Sequence, residues 1–135
     1  MASYGVRYYD RQGQPMAMME WAQKFDDHEY KVVAQHWVRG WLVSTVWLGL
    51  DHGFGMSGPP VIFETMVFPP GDEAGGDGVF AERYCERYPT EAAAQAGHDR
   101  ALAAIVTKLG DGAAMDVMSA AQFTDSAEVP DFPPS

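Results

Sequence analysis

The chain has almost no cysteine and little positive charge. Cys85 stands alone in 135 residues, so no intrachain disulfide can form and no cysteine-based zinc cluster is available. Lys and Arg number 9 against 19 Asp and Glu, which leaves a net charge of −10. A general nucleic-acid binder needs a basic face that displaces counterions from phosphates, so nucleic acid is not an expected partner. Long hydrophobic runs are also missing. No stretch approaches the ~18 apolar residues of a membrane helix, and no membrane partner is expected. The opening "MASYGVRYYD" shows no apolar signal region. With the lone thiol, this leads us to expect a reducing, cytoplasmic location. No cofactor and no bound metal are expected.

What the chain does have is material for a core. Hydrophobic residues make up 47 %, with four Trp, seven Phe and six Tyr, a composition that favours a compact globule over disorder. The charge is uneven. Residues 110–135 carry Asp111, Asp116, Asp125, Glu128 and Asp131 and no Lys or Arg. We therefore expect one domain over 1–109 and a partly disordered, acidic, Pro-containing tail over 110–135.

Local patterns give the element order. "YGVRYYDRQGQP" reads as a strand entering a turn, with Gly13 suited to positive φ and Pro15 where a helix could begin. Met18, Trp21, Ala22 and Phe25 fall at helical spacing, which predicts a short helix over 16–26 that Asp26 and Asp27 terminate poorly. "YKVVAQHWV" (30–38) and "WLVSTVWLGL" (41–50) read as a hairpin around Arg39-Gly40. On the second strand, Trp41, Val43, Thr45 and Trp47 share one face, and Leu42, Val46, Leu48 and Leu50 the other. Both faces are apolar, which marks a central strand covered on two sides. Strands are expected again at 61–68 and 80–88, separated by loops at 51–60 and 69–78. Thr90 caps a long helix whose stripe is Ala94, Ala101, Leu102, Ile105, Val106 and Leu109, with Gly110 as its stop. A further short helix is expected over 113–123. The sum is an α+β domain: an antiparallel sheet of about five strands with one short and one long helix packed on it.

Two sets of residues could carry function. Asp51 and His52 at a strand end, Glu64 on the next strand and His98 on the long helix form a candidate carboxylate–imidazole set for a small metal-assisted hydrolase. The competing reading makes each of them structural, with Glu64 paired to an arginine and His98 packed over the sheet. The second set is Arg83 and Arg87, on one strand face and about 13 Å apart by strand rise, with Cys85 between them. With the glycine loop at Asp51, His52, Gly53, Phe54 and Gly55, their guanidinium forks would suit a small phosphorylated ligand with a base to stack. Here too the alternative is plain ion pairing with Glu82, Glu86 or Glu64. Cys85 reads as a small buried side chain more than a nucleophile. Trp37, Trp41, Trp47, Phe54, Phe63 and Phe68 exceed what two helices can cover, so a homo-oligomer, a dimer or higher, is expected.

The segments "YYDRQGQP…EWA", "VSTVWLGLDHGFG…GPPVIFETMVF" and "CERYPTEAAAQAGH" resemble a family of small phage and prophage proteins over residues 7–105. That family is in turn similar to the Thoeris anti-defence type 1 proteins, sponges that capture cyclic ADP-ribose-like signals without catalysis. The resemblance implies an oligomeric, non-enzymatic binder of a small nucleotide-derived ligand, in the cytoplasm of a host cell. Arg83, Arg87 and the loop from Asp51 are the residues carried over.

Overall fold

A computed structural model of the chain describes residues 7–51, 59–70 and 85–119. The first of these segments doubles back at once. β1 (Tyr8–Tyr9) pairs antiparallel with β2 (Pro15–Met16), and Gly13 takes φ +86° in the turn between them. The Asp10 carboxylate accepts from the backbone N–H of Gln12 and Gln14 and holds that turn. Pro15 therefore closes a small hairpin, and the helix expected to start there begins later, as α1 (Met18–Phe25).

The acidic pair that ends α1 has a second role. Asp27 accepts from the N–H groups of Glu29 and Tyr30 and so caps α2 (His28–Lys31). A carboxylate is unfavourable at a helix C-terminus and favourable at the next N-terminus, and here the second role decides. The strand expected from Tyr30 consequently starts at Val32.

The main sheet contains β3 (Val32–Val38), β4 (Trp41–Trp47), β5 (Phe63–Phe68), β6 (Cys85–Tyr88) and β7 (Val117–Ser119). Their order is β6-β5-β4-β3-β7, with every neighbour antiparallel. The β3–β4 turn has positive φ at both central residues, +49° at Arg39 and +87° at Gly40, the geometry that matches strand twist. Arg39 holds its place there by donating from Nε to Asp116 and from a terminal nitrogen to the Asp111 carbonyl.

One long helix, α3 (Glu91–Leu109), lies across one face of this sheet. Thr90 Oγ1 accepts from Ala93 N–H at its start, as the sequence predicts. Ala94, Gly97, His98, Ala101 and Ile105 are its buried residues, and Leu102, Val106 and Leu109 are partly covered. Against them the sheet sets Val38, Trp41, Val43 and Val67 at one end, and Trp47, Phe63 and Tyr88 at the other. Burying each of these large side chains contributes roughly 1.5–3 kcal/mol before the entropy cost of ordering it. Trp21, Phe25 and Tyr30 extend the second cluster, with Tyr30 edge-on to Trp47 at 5.0 Å between ring centroids.

Over its described part, residues 113–119, the helix expected over 113–123 does not form. A 3-10 turn (Ala113–Asp116) leads into β7, which pairs with the outer edge of β3, Met118 opposite Trp37. The buried Ala113 and the Arg39–Asp116 ion pair anchor that segment, and β3 offers an edge whose backbone groups need partners. The fold thus runs past residue 109, to Ser119 at least. The strand expected from residue 80 is described from Cys85 onward, and the tail from 120 lies outside the described residues.

Candidate ligand-binding face

Strand register decides which side chains share a face. On the side away from α3, one cross-strand row is Val32, Val46, Glu64 and Arg87. The next row is Gln35, Ser44, Met66 and Cys85. A third is Met118, Trp37, Leu42 and Phe68. The face grades from charged, through polar, to apolar across three rows. It carries an open cavity of about 220 Å³, lined by Gln35, Ser44 and Glu64 and by the apolar Val32, Val46, Leu48, Met66 and Phe68. His28 and Lys31 of α2 also line it. Gln35 Nε2 donates to Ser44 Oγ at 3.0 Å, which fixes the polar floor.

Glu64 organises the charged row. Its Oε2 accepts from Arg87 Nε at 3.0 Å and from the Cys85 thiol at 3.1 Å. Both bonds fall on one oxygen, which leaves Oε1 able to accept from something else. Arg87 likewise spends only Nε, and no described residue takes its terminal amino groups. The Cys85 thiol pKa is raised, first by burial and then by the carboxylate it donates to, while Arg87 acts weakly in the opposite sense. Cys85 should therefore react slowly with iodoacetamide at pH 8, and Glu64→Gln should speed that reaction several-fold. Equal alkylation rates in the two proteins would show that Glu64 does not hold the thiol proton.

Asp51 is not among the residues that line the cavity. Its Oδ1 accepts from Val61 N–H at 2.9 Å and so ties together the two ends of the loop. His52, Gly53, Phe54, Gly55 and Arg83 lie outside the described residues.

His98 sits on the other side of the sheet, on the buried face of α3, where it is 1 % exposed. Its Nδ1 is 2.7 Å from Thr45 Oγ1 and its Nε2 is 2.8 Å from His36 Nδ1. Burial, then the neighbouring His36, pushes its pKa down to about 4. Glu64 and His98 are thus separated by the sheet, so these two do not meet in the acid–base set that the sequence offered. Among the described residues, no group of three or more His, Cys, Asp or Glu is placed to hold a metal ion.

The sequence reading did not single out His36, Thr45, Thr65 or Tyr88, which surround His98. A signal was present: Thr45 shares its face with Trp41, Val43 and Trp47, and a buried hydroxyl in such company requires a partner. No protein-family model matches the chain, and neither does any curated protein or solved structure. No helix among the described residues is long and apolar enough to cross a membrane.

Proposed function

We propose that the chain is a binding protein that captures a small nucleotide-derived signal on the open face of its sheet and releases it unaltered. The observation that carries this reading is the state of Arg87. Glu64, which lines the cavity, orients the guanidinium through Nε alone, and the two terminal amino groups remain to fork onto an anionic oxygen. Glu64 Oε1 can accept from an amino group of a base, and Val46, Leu48, Met66 and Phe68 supply apolar contact for its ring. The Arg87–Glu64 pair is neutral overall, so recognition rests on directed hydrogen bonds and not on an electrostatic field.

The family resemblance narrows the ligand to a cyclic ADP-ribose-like molecule or a cyclic oligonucleotide, and the role to a phage anti-defence sponge in the host cytoplasm. Assembly as a homo-oligomer belongs to the same reading, and sedimentation velocity tests it. Ligand at 100 times its Kd stabilises a protein by about 2.7 kcal/mol, which raises the melting temperature by several degrees. Arg87→Ala should abolish that shift while the ligand-free protein still melts cooperatively. Ligand recovered after heat denaturation should be chemically intact. A shift that survives Arg87→Ala, or recovery of an altered product, would overturn the proposal.

A further inference from the structure

Two polar side chains that line the open-face cavity have half of their hydrogen-bonding capacity unspent, and they differ in kind. Glu64, 13 % exposed, is a carboxylate and offers only lone pairs. Both donors that reach it, Arg87 Nε at 3.0 Å and the Cys85 thiol at 3.1 Å, fall on Oε2. They come from β6 and fix which oxygen faces that strand. No described residue donates to Oε1. Ser44 on β4 is 6 % exposed, and its Oγ accepts from Gln35 Nε2 at 3.0 Å. A hydroxyl has one proton, and no described residue accepts the one on Ser44.

The register sets these groups within reach of one small molecule. Ser44 pairs with Met66, two residues along β5 from Glu64, a diagonal relation of about 7–8 Å between backbones. A flat heterocycle can touch both side chains while Val46, Leu48, Met66 and Phe68 cover its ring. Lys31 also lines the cavity, and its ammonium would suit a carbonyl oxygen. It lies instead over the Phe25 ring, 3.8 Å from the centroid, where the ring face holds the cation.

We infer that Glu64 and Ser44 make the cavity selective for a base with an exocyclic amino group, such as adenine, over its oxo counterpart, hypoxanthine. This rests on the reading of the chain as a nucleotide-binding protein and names the class of base that it takes. The amino group donates to Glu64 Oε1, and an unprotonated ring nitrogen accepts from Ser44, which fixes the edge that Glu64 meets. In hypoxanthine a carbonyl oxygen stands where the amino group was. It faces a carboxylate oxygen with no proton between them, and the charged acceptor is left unpaired. A site built around a ligand N–H penalises the analogue that lacks it in this way.

Glu64→Gln reverses the lesson that the site teaches. Glutamine has the same shape. Arg87 Nε and the Cys85 thiol both need an acceptor, so the amide oxygen takes the place of Oε2 and the amide nitrogen that of Oε1. The arginine keeps its partner, and the group shown to the base turns from acceptor to donor.

Calorimetric titration with adenosine monophosphate and inosine monophosphate, which differ by this exchange of amino for oxo, tests the inference. The unmodified protein should bind the adenosine compound tighter by about tenfold or more. Glu64→Gln should invert that preference. Ser44→Ala should weaken the adenosine compound several-fold, and an unchanged affinity would overturn the part given to Ser44. Purine riboside monophosphate, which has hydrogen in place of the amino group, should lose affinity for the unmodified protein as the inosine compound does. It decides the matter if Glu64→Gln does not fold. Equal affinities in the unmodified protein, or the same preference in Glu64→Gln, would overturn the inference. Binding that Arg87→Ala abolishes would still leave the nucleotide reading standing. No binding of any of the three compounds would overturn that reading, and this inference with it.

Discussion

Gly49→Ala should destabilise the fold by about 2–5 kcal/mol. Gly49 has φ +77°, a conformation that costs a residue with a side chain about 1–2 kcal/mol in the absence of any clash. A Cβ there would also run into the Trp21 ring and come within 2.6 Å of the Trp47 ring. Neither indole can swing aside cheaply. Trp21 Nε1 donates to the Leu48 carbonyl and Trp47 Nε1 to the Tyr9 carbonyl, each at 2.9 Å. Gly49 itself accepts from Tyr9 N–H at 2.9 Å, so its backbone is fixed as well. Gly13→Ala is the internal control, because φ is +86° there but nothing lies within 4 Å of the added atom. It should cost only about 1–2 kcal/mol. Urea denaturation of the two variants separates backbone strain from crowding, and equal losses would show that the indole pair yields to the methyl group.

The patterns with a local cause were legible in the sequence. Arg39-Gly40 makes its turn, Thr90 caps α3, and the alternation across Trp41–Trp47 gives β4 its two faces. The same alternation could not say which face α3 would cover, because both are apolar. That single ambiguity separates the candidate sites. Once α3 lies over Thr45 and Thr65, parity sends Glu64 and Arg87 to the open side, away from His98. The Glu64–Arg87 contact joins residues on different strands, so only the β5–β6 register could choose between an ion pair and an unengaged arginine. β7 was hidden for a different reason. "VMS" is too short to show a period, and its conformation is dictated by the edge of β3 and by Arg39 holding Asp116. The acids at 26 and 27 misled because a helix end and the next helix start share them.

Acid should weaken the fold earlier than carboxylate protonation alone would, and His98 is the reason. The folded protein holds this imidazole neutral down to about pH 4, whereas an unfolded chain protonates it near the ordinary value of 6.5. Between those two pH values the unfolded state binds more protons, so the unfolding free energy falls as pH falls. The contribution of His98 is whole above pH 6.5, declines by about 1.4 kcal/mol per pH unit below it, and is exhausted near pH 4. The accumulated loss is of order 3 kcal/mol, a large share of the 5–15 kcal/mol typical of a domain. Urea unfolding at pH 7.5, 6.0 and 5.0 reads the slope directly. His98→Gln keeps a polar group that can bond both Thr45 and His36 but has nothing to titrate. That variant should start less stable at pH 7.5 and lose less on acidification, so the two stability curves converge towards pH 4.5. Parallel curves would mean that the buried imidazole is protonated as readily in the folded protein as in the unfolded one, and that the His36–His98–Thr45 contacts do not hold it neutral.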